Sequence, residues 1–138
     1  MNHCRLKDMD SSYKIGDYLE VNQEAVMISA IKEGALYHDD ICLISHCNII
    51  LNDRVFRACG FKKLEDDWVF REESGLWIRC QKEQSGTYRV IVTSPEIPRK
   101  EESDFFVLSV LQDYIRDSCG IELPICETAL TQVLKAKD

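Results

Sequence analysis

Three features of the sequence predict an α+β fold. Short apolar runs separated by turn residues fill the stretch from Tyr13 to Ile44. A short helix with both ends specified lies at residues 51–61. After it the pattern changes to two-residue alternation, closed by an apolar stripe at helical spacing. The expected order is an N-terminal β-meander that could curl into a small barrel, a short capped helix, then a three-stranded antiparallel sheet covered by one long helix.

Residues 1–12 are polar and aperiodic and read as a flexible arm. Gly16 to Val21 reads as a strand, Asn22-Gln23-Glu24 as a turn and Ala25 to Ile31 as a buried strand. Lys32-Glu33-Gly34 turns again, Ala35 to Tyr37 is a third strand, and Ile41 to Ile44 is a fourth after Asp39-Asp40. Residues 13–50 form this meander, which has too little core to stand alone.

The helix is the most fully determined element. Asn52 suits an N-cap, because its side-chain oxygen can accept an orphan backbone N–H. Leu51 and Phe56 occupy the two positions of a hydrophobic staple. Gly60 supplies the left-handed residue that ends the helix, and Phe61 can fold back on Phe56.

Trp68 to Arg71, Leu76 to Gln81 and Thr87 to Thr93 alternate, with Ser74-Gly75 and Ser85-Gly86 at the turns. One face collects Trp68, Phe70, Leu76, Ile78, Cys80, Tyr88, Val90 and Val92, and must be covered. Residues 94–100 read as a mobile loop. The cover is a helix from Asp104 to Cys119 with Ser103 as N-cap, presenting Val107, Leu108, Val110, Leu111, Tyr114 and Ile115 and stopped by Gly120. Residues 51–123 thus form a helix–sheet–helix module sharing a core with the meander. Residues 124–138 are a tail in which Glu127 to Lys135 could form a last short helix.

Composition excludes several function classes. The chain has 138 residues, 45% apolar and 30% charged, which is globular rather than disordered. A formal charge of −7 opposes a nucleic-acid coat, which needs clustered Lys and Arg. Seven cysteines without twin spacing are no disulfide framework. With no apolar leader and no run of about 18 apolar residues, the expectation is a cytoplasmic protein with mostly buried, inert thiols and no membrane association.

Chemistry-bearing groups are sparse. His38, Cys42, His46 and Cys47 offer donors suited to zinc, but H-x3-C-x3-H-C is no standard spacing, and His46 and Cys47 would point apart in a strand. No metal or other cofactor is expected. Cys59 and Cys119 lie at helix C-termini, where the dipole raises a thiol pKa. Asp39-Asp40, Glu65-Asp66-Asp67 and Glu72-Glu73 fall in turns or strand ends, without the facing geometry of acid–base pairs. No phosphate loop or nucleophile elbow is present, so no catalytic residues are assigned.

The remaining signal is the second face of the sheet, which alternation gives to Val69, Arg71, Trp77, Arg79, Arg89 and Ile91. Arginines around a Trp suit a binding surface for a protein or for single-stranded nucleic acid. The competing expectation is that the meander covers this face, with the arginines reaching out at the rim.

The order of parts resembles a group of small uncharacterised proteins of prophages and integrative mobile elements in gut Bacteroidetes. The matching stretches are Lys14-Ile15-Gly16-Asp17-Tyr18-Leu19, then Ile49-Ile50-Leu51-Asn52-Asp53 through Cys59-Gly60-Phe61, then Trp68. Val110-Leu111-Gln112-Asp113-Tyr114 and Cys119-Gly120-Ile121-Glu122-Leu123 match the closing helix and its stop. Ser109 replaces a frequent His, residues 43–48 lengthen one connection, and the tail runs past Leu123. The resemblance implies a fold and a mobile-element setting and brings no catalytic residues. The expected function is a non-enzymatic interaction protein of a mobile genetic element with a protein partner. The alternatives are an acidic inhibitor or immunity-type protein blocking a basic partner, or a nucleic-acid accessory factor. Net charge ranks the inhibitor above the nucleic-acid factor.

Overall fold

The computed structural model describes residues 13–136, so the expected arm at residues 1–12 lies outside the described residues. Among the described residues ten strands form three antiparallel sheets, joined by three helices. The first sheet is the hairpin β1 (Tyr18–Val21) and β2 (Glu24–Met27). The second is the meander β3 (Ala30–Lys32), β4 (Ala35–His38) and β5 (Ile41–Cys42). The sequence predicted one strand across Ala25 to Ile31, but the chain leaves the first hairpin at Ile28. There Ile28 N–H donates to the Asp17 carbonyl and Gly16 N–H to the Ile28 carbonyl, while Ser29 N–H already pairs with Tyr37 in the next sheet. The break divides the expected meander into two sheets, and no barrel closes.

Helix α1 (Asp53–Ala58) carries both local signals. The Asn52 side chain accepts from Val55 N–H at 2.9 Å. At the other end Gly60 has φ +90°, Gly60 N–H donates to Arg57 O and Phe61 N–H to Phe56 O. This is the bond pair of a Schellman stop. It returns Phe61 onto Phe56, with ring centroids 5.3 Å apart. Phe56 also meets Trp68 at 6.0 Å and Tyr88 at 4.8 Å, so the helix enters the core through an aromatic cluster.

The third sheet has five strands where three were predicted. Its order is β10 (Lys100–Phe105), β9 (Tyr88–Thr93), β8 (Trp77–Lys82), β7 (Asp67–Arg71) and β6 (Lys62–Leu64). The two additional strands are the edges. Both are rich in charge, which protects an open edge from pairing with other chains and also erases apolar alternation. The predicted loop at residues 94–100 therefore ends in a strand at Lys100. A bulge between Glu102 and Phe105, with Asp104 at φ +69°, sets Phe105 opposite Tyr88 and turns it into the core.

That bulge also delays the long helix. Ser103 lies in β10 rather than at an N-cap, and α2 runs Leu108–Cys119 with Val107 at its N-cap. Val107 is extended and bridges to Ile50, so the chain is pinned beside the meander before it coils. Gly120 ends α2 in the left-handed conformation, its N–H on Arg116 O. Helix α3 (Glu127–Ala136) buries Leu130 and Leu134.

The main core lies between the inner sheet face and the helices. Ile78, Cys80, Val90 and Val92 from the sheet meet Val55 and Phe56 of α1, Leu108, Leu111 and Ile115 of α2, and Leu130 of α3. A single covering helix was expected; three share the task. Hairpin β1–β2 packs on α2 and α3, where Ala25 N–H donates to Thr131 Oγ1 and Tyr18 N–H to Gln112 Oε1. Leu19, Ile28, Leu36 and Leu43 form a small second core inside the meander. No helix of the described residues is long and apolar enough to cross a membrane.

Candidate binding surface

Among the described residues the hairpin packs on the helices, and Arg71, Trp77 and Arg89 on the second face of the five-stranded sheet stay exposed rather than covered by the meander. Cross-strand register places Arg71 opposite Trp77, and Lys62, Val69, Arg79, Ile91 and Glu101 in one row across all five strands. Trp77 remains 37% exposed, and the Arg71 guanidinium lies 5.0 Å from its ring centroid. An exposed cation–π stack of this kind contributes about 0.5–1 kcal/mol. Val69 is buried on this face, under the stems of its longer neighbours.

The arginines expected to form a positive field do not act alike. Arg79 Nε stands 2.9 Å from Asp67 Oδ2, with its N–H aimed off the hydrogen-bond axis. Arg89 donates to Glu101 at 3.2 Å and stands 3.7 Å from Glu83. Both are neutralised within the sheet. Arg71 has no acidic side chain within ion-pair distance among the described residues and keeps a free guanidinium edge beside Trp77. The part of this face without an acidic partner among the described residues is therefore the Arg71–Trp77 pair, with Lys62 and Leu64 of β6, which the sequence reading missed. The signal was available: the two-residue hairpin turn Glu65-Asp66 lets alternation run back from Asp67 into Lys62–Leu64.

A second cluster escaped the sequence reading. Asp17 is fully buried and touches the Arg116 guanidinium, Oδ1 to Nη1 at 3.2 Å. Arg116 also donates to Asp113 at 2.7 Å and forms a two-point contact with Glu122 at 2.6 and 3.0 Å. Lys14 N–H donates to Asp17 Oδ2, and Lys14 Nζ stands 3.7 Å from Asp113. Beside them the buried Gln112 accepts from Tyr18 N–H and donates to Gly16 O at 3.0 Å. Burial first, then the neighbouring Asp113 carboxyl, pushes Asp17 up to about 7, against the Lys14 N–H and Arg116, which lower it. Two facing carboxylates with a shifted pKa are the pattern of acid–base chemistry. Here the shifted group is fully buried, and it lines neither the clefts beside α1 and α3 nor the one along β6 and β7. The geometry is that of a tie between β1 and α2.

The possible zinc donors are not brought together. His38 Nδ1 is held by Met27 O at 2.8 Å, His46 Nδ1 by Leu43 O at 3.0 Å, and Cys42 is exposed. Cys47 is disulfide-bonded, which the expectation of free, inert thiols did not include. Among the described residues no three His, Cys, Asp or Glu side chains converge on a point. Burial pushes the Cys59 thiol up to about 12 and raises Cys80 and Cys119. Desolvation rather than the helix dipole is the main cause. Of the free thiols described, Cys59 and Cys80 are buried, Cys119 is partly buried, and Cys42 and Cys126 are exposed.

No family model, curated protein or solved structure matches this chain.

Proposed function

We propose that this chain is a non-enzymatic interaction protein that docks an acidic protein partner on the open face of its five-stranded sheet, with Arg71 and Trp77 as the anchor. The supporting observation is the half-exposed Trp77 under an Arg71 that has no acid to pair with among the described residues. Trp and Arg are the side chains most enriched where binding energy concentrates. A nucleic-acid role is disfavoured, because Asp67, Glu83 and Glu101 cancel Arg79 and Arg89 on the same face. The inhibitor reading, with a basic partner, draws less support, since several of the acids it would use already serve these arginines. The mobile-element setting and the host cytoplasm are carried by the sequence resemblance alone.

The test is capture from host lysate, with nuclease treatment, comparing wild type with the Arg71→Glu, Trp77→Ala double variant. The variant is expected to fold and to lose a nuclease-resistant partner whose capture by wild type weakens with salt. Undiminished capture by the variant, or capture abolished by nuclease, would contradict the proposal. Reversing Arg79 and Arg89 would be a poor substitute. It would set glutamates against Asp67, Glu83 and Glu101 and destabilise the sheet for reasons unrelated to binding.

A further inference from the structure

A cleft of about 350 Å³ runs along β6, β7 and the turn after α1, and of its lining residues Lys62, Leu64, Val69 and Arg71 lie on this outer face. Three cations and no carboxylate line it, in a chain of net charge −7. Arg54 and Arg57 line another cleft without a carboxylate, beside α3, so what distinguishes this one is its place beside the exposed Trp77. Arg79, Arg89, Arg99 and Arg116 each hold an acid within 3.2 Å. Lys63 is engaged by Asp53 at 3.9 Å and by the Trp68 ring. Lys62 and Arg71 have no acid within ion-pair distance among the described residues. Register puts Lys62 opposite Val69 and Arg71 two residues further along the same strand, so both cations stand on one face over an apolar floor.

From this geometry we infer that the cleft is a subsite for a side-chain carboxylate of an acidic peptide segment, held between Lys62 and Arg71. The inference rests on the docking surface proposed above and names the partner chemistry it recognises. The planar guanidinium offers a paired-donor edge that matches a carboxylate, and Lys62 adds a second charge. Leu64, Val69 and Trp77 beside the cations suit the apolar parts of a peptide rather than a bare inorganic ion. The cleft lies beside β6, the terminal strand of the sheet, so an extended segment has room to run alongside it.

The experiment is a two-dimensional amide NMR titration of the full chain with hexaglutamate, with inorganic phosphate and hexalysine as separate arms. Hexaglutamate is expected to shift Lys62, Val69, Arg71 and the Trp77 indole N–H, with an affinity at least tenfold weaker in Lys62→Gln and in Arg71→Gln. Melting curves of both variants, expected to match wild type, exclude unfolding as the cause. Three results would overturn the subsite: no response in the cleft, an equal response to phosphate at the same concentration, or an unchanged affinity in the folded variants. A silent cleft with lysate capture still dependent on Trp77 would remove the subsite and leave the docking surface. A responding cleft with capture indifferent to Trp77 would do the reverse.

Discussion

Replacing Arg116 with methionine is expected to destabilise the protein by roughly 3–5 kcal/mol, the range for breaking a buried ion pair from one side. Asp17, fully buried, would lose the one cation paired with it among the described residues, Glu122 would lose its partner, and Asp113 would keep only Lys14 at 3.7 Å. The loss should grow with pH, and the sign follows from Asp17. Its folded pKa of about 7 exceeds its ordinary value of 3.8, so between these values the native state binds more protons than the unfolded chain. Stability from this group is fully present below about pH 4 and is lost as pH rises through 7. Without Arg116 the carboxyl pair holds its proton still more tightly, so the decline should steepen and extend upward. Thermal melts at pH 5 and pH 8 check this. Wild type is expected to melt lower at pH 8, Arg116→Met to show a larger gap, and Asp17→Asn to show little or none. Equal slopes in all three would mean that Asp17 is ionised throughout.

Gly60→Val is expected to cost roughly 2–4 kcal/mol, from two independent causes. Gly60 has φ +90°, a left-handed conformation that costs a side-chain-bearing residue about 1–2 kcal/mol. A Cβ there would also stand 2.9 Å from the Pro124 ring, and such overpacking costs about 1–3 kcal/mol. At roughly 3 °C per kcal/mol for a domain of this size, the melting temperature should fall by about 6–12 °C. Gly34→Val separates the two causes. Gly34 has φ +83° with nothing within 4 Å of a Cβ, so it should show the conformational cost alone. Equal losses at both positions would refute the packing contribution of Pro124.

Helix α1 was legible because its signals are local. Asn52, Leu51, Phe56, Gly60 and Phe61 lie within eleven residues and act on one another. The inner sheet face was legible because burial imposes alternation from Trp68 to Val92. The edges were not. Lys62-Lys63-Leu64 and Lys100 to Asp104 carry the charges that edge strands need, and charge hides a strand from a search for apolar period. That omission also misjudged the arginines. Glu101, which neutralises Arg89, lies on the missed strand β10, and Asp67, read as a solvated turn residue, is the partner of Arg79. The Asp17–Arg116 tie spans 99 residues, and no spacing rule reaches that far. Where the meander would sit was equally hidden. Ala25 and Tyr18 reveal it only through their bonds to Thr131 and Gln112 on helices far along the chain.

The central claim is that the outer sheet face is an open working surface, and thermal melting of Trp77→Ala across a wide range of protein concentration tests it most directly. Trp77 is 37% exposed and its partner in the structure is the Arg71 stack. Its removal should therefore cost about 1–2 kcal/mol, from the Arg71 stack and the covered part of the ring together, shifting the melting temperature by no more than about 6 °C at every concentration. A loss of roughly 3–5 kcal/mol, the range for truncating a buried Trp, would mean that the chain covers this face itself. A wild-type melting temperature that rises with concentration, and no longer does so in Trp77→Ala, would mean that a second copy covers it. Either result would contradict the open surface.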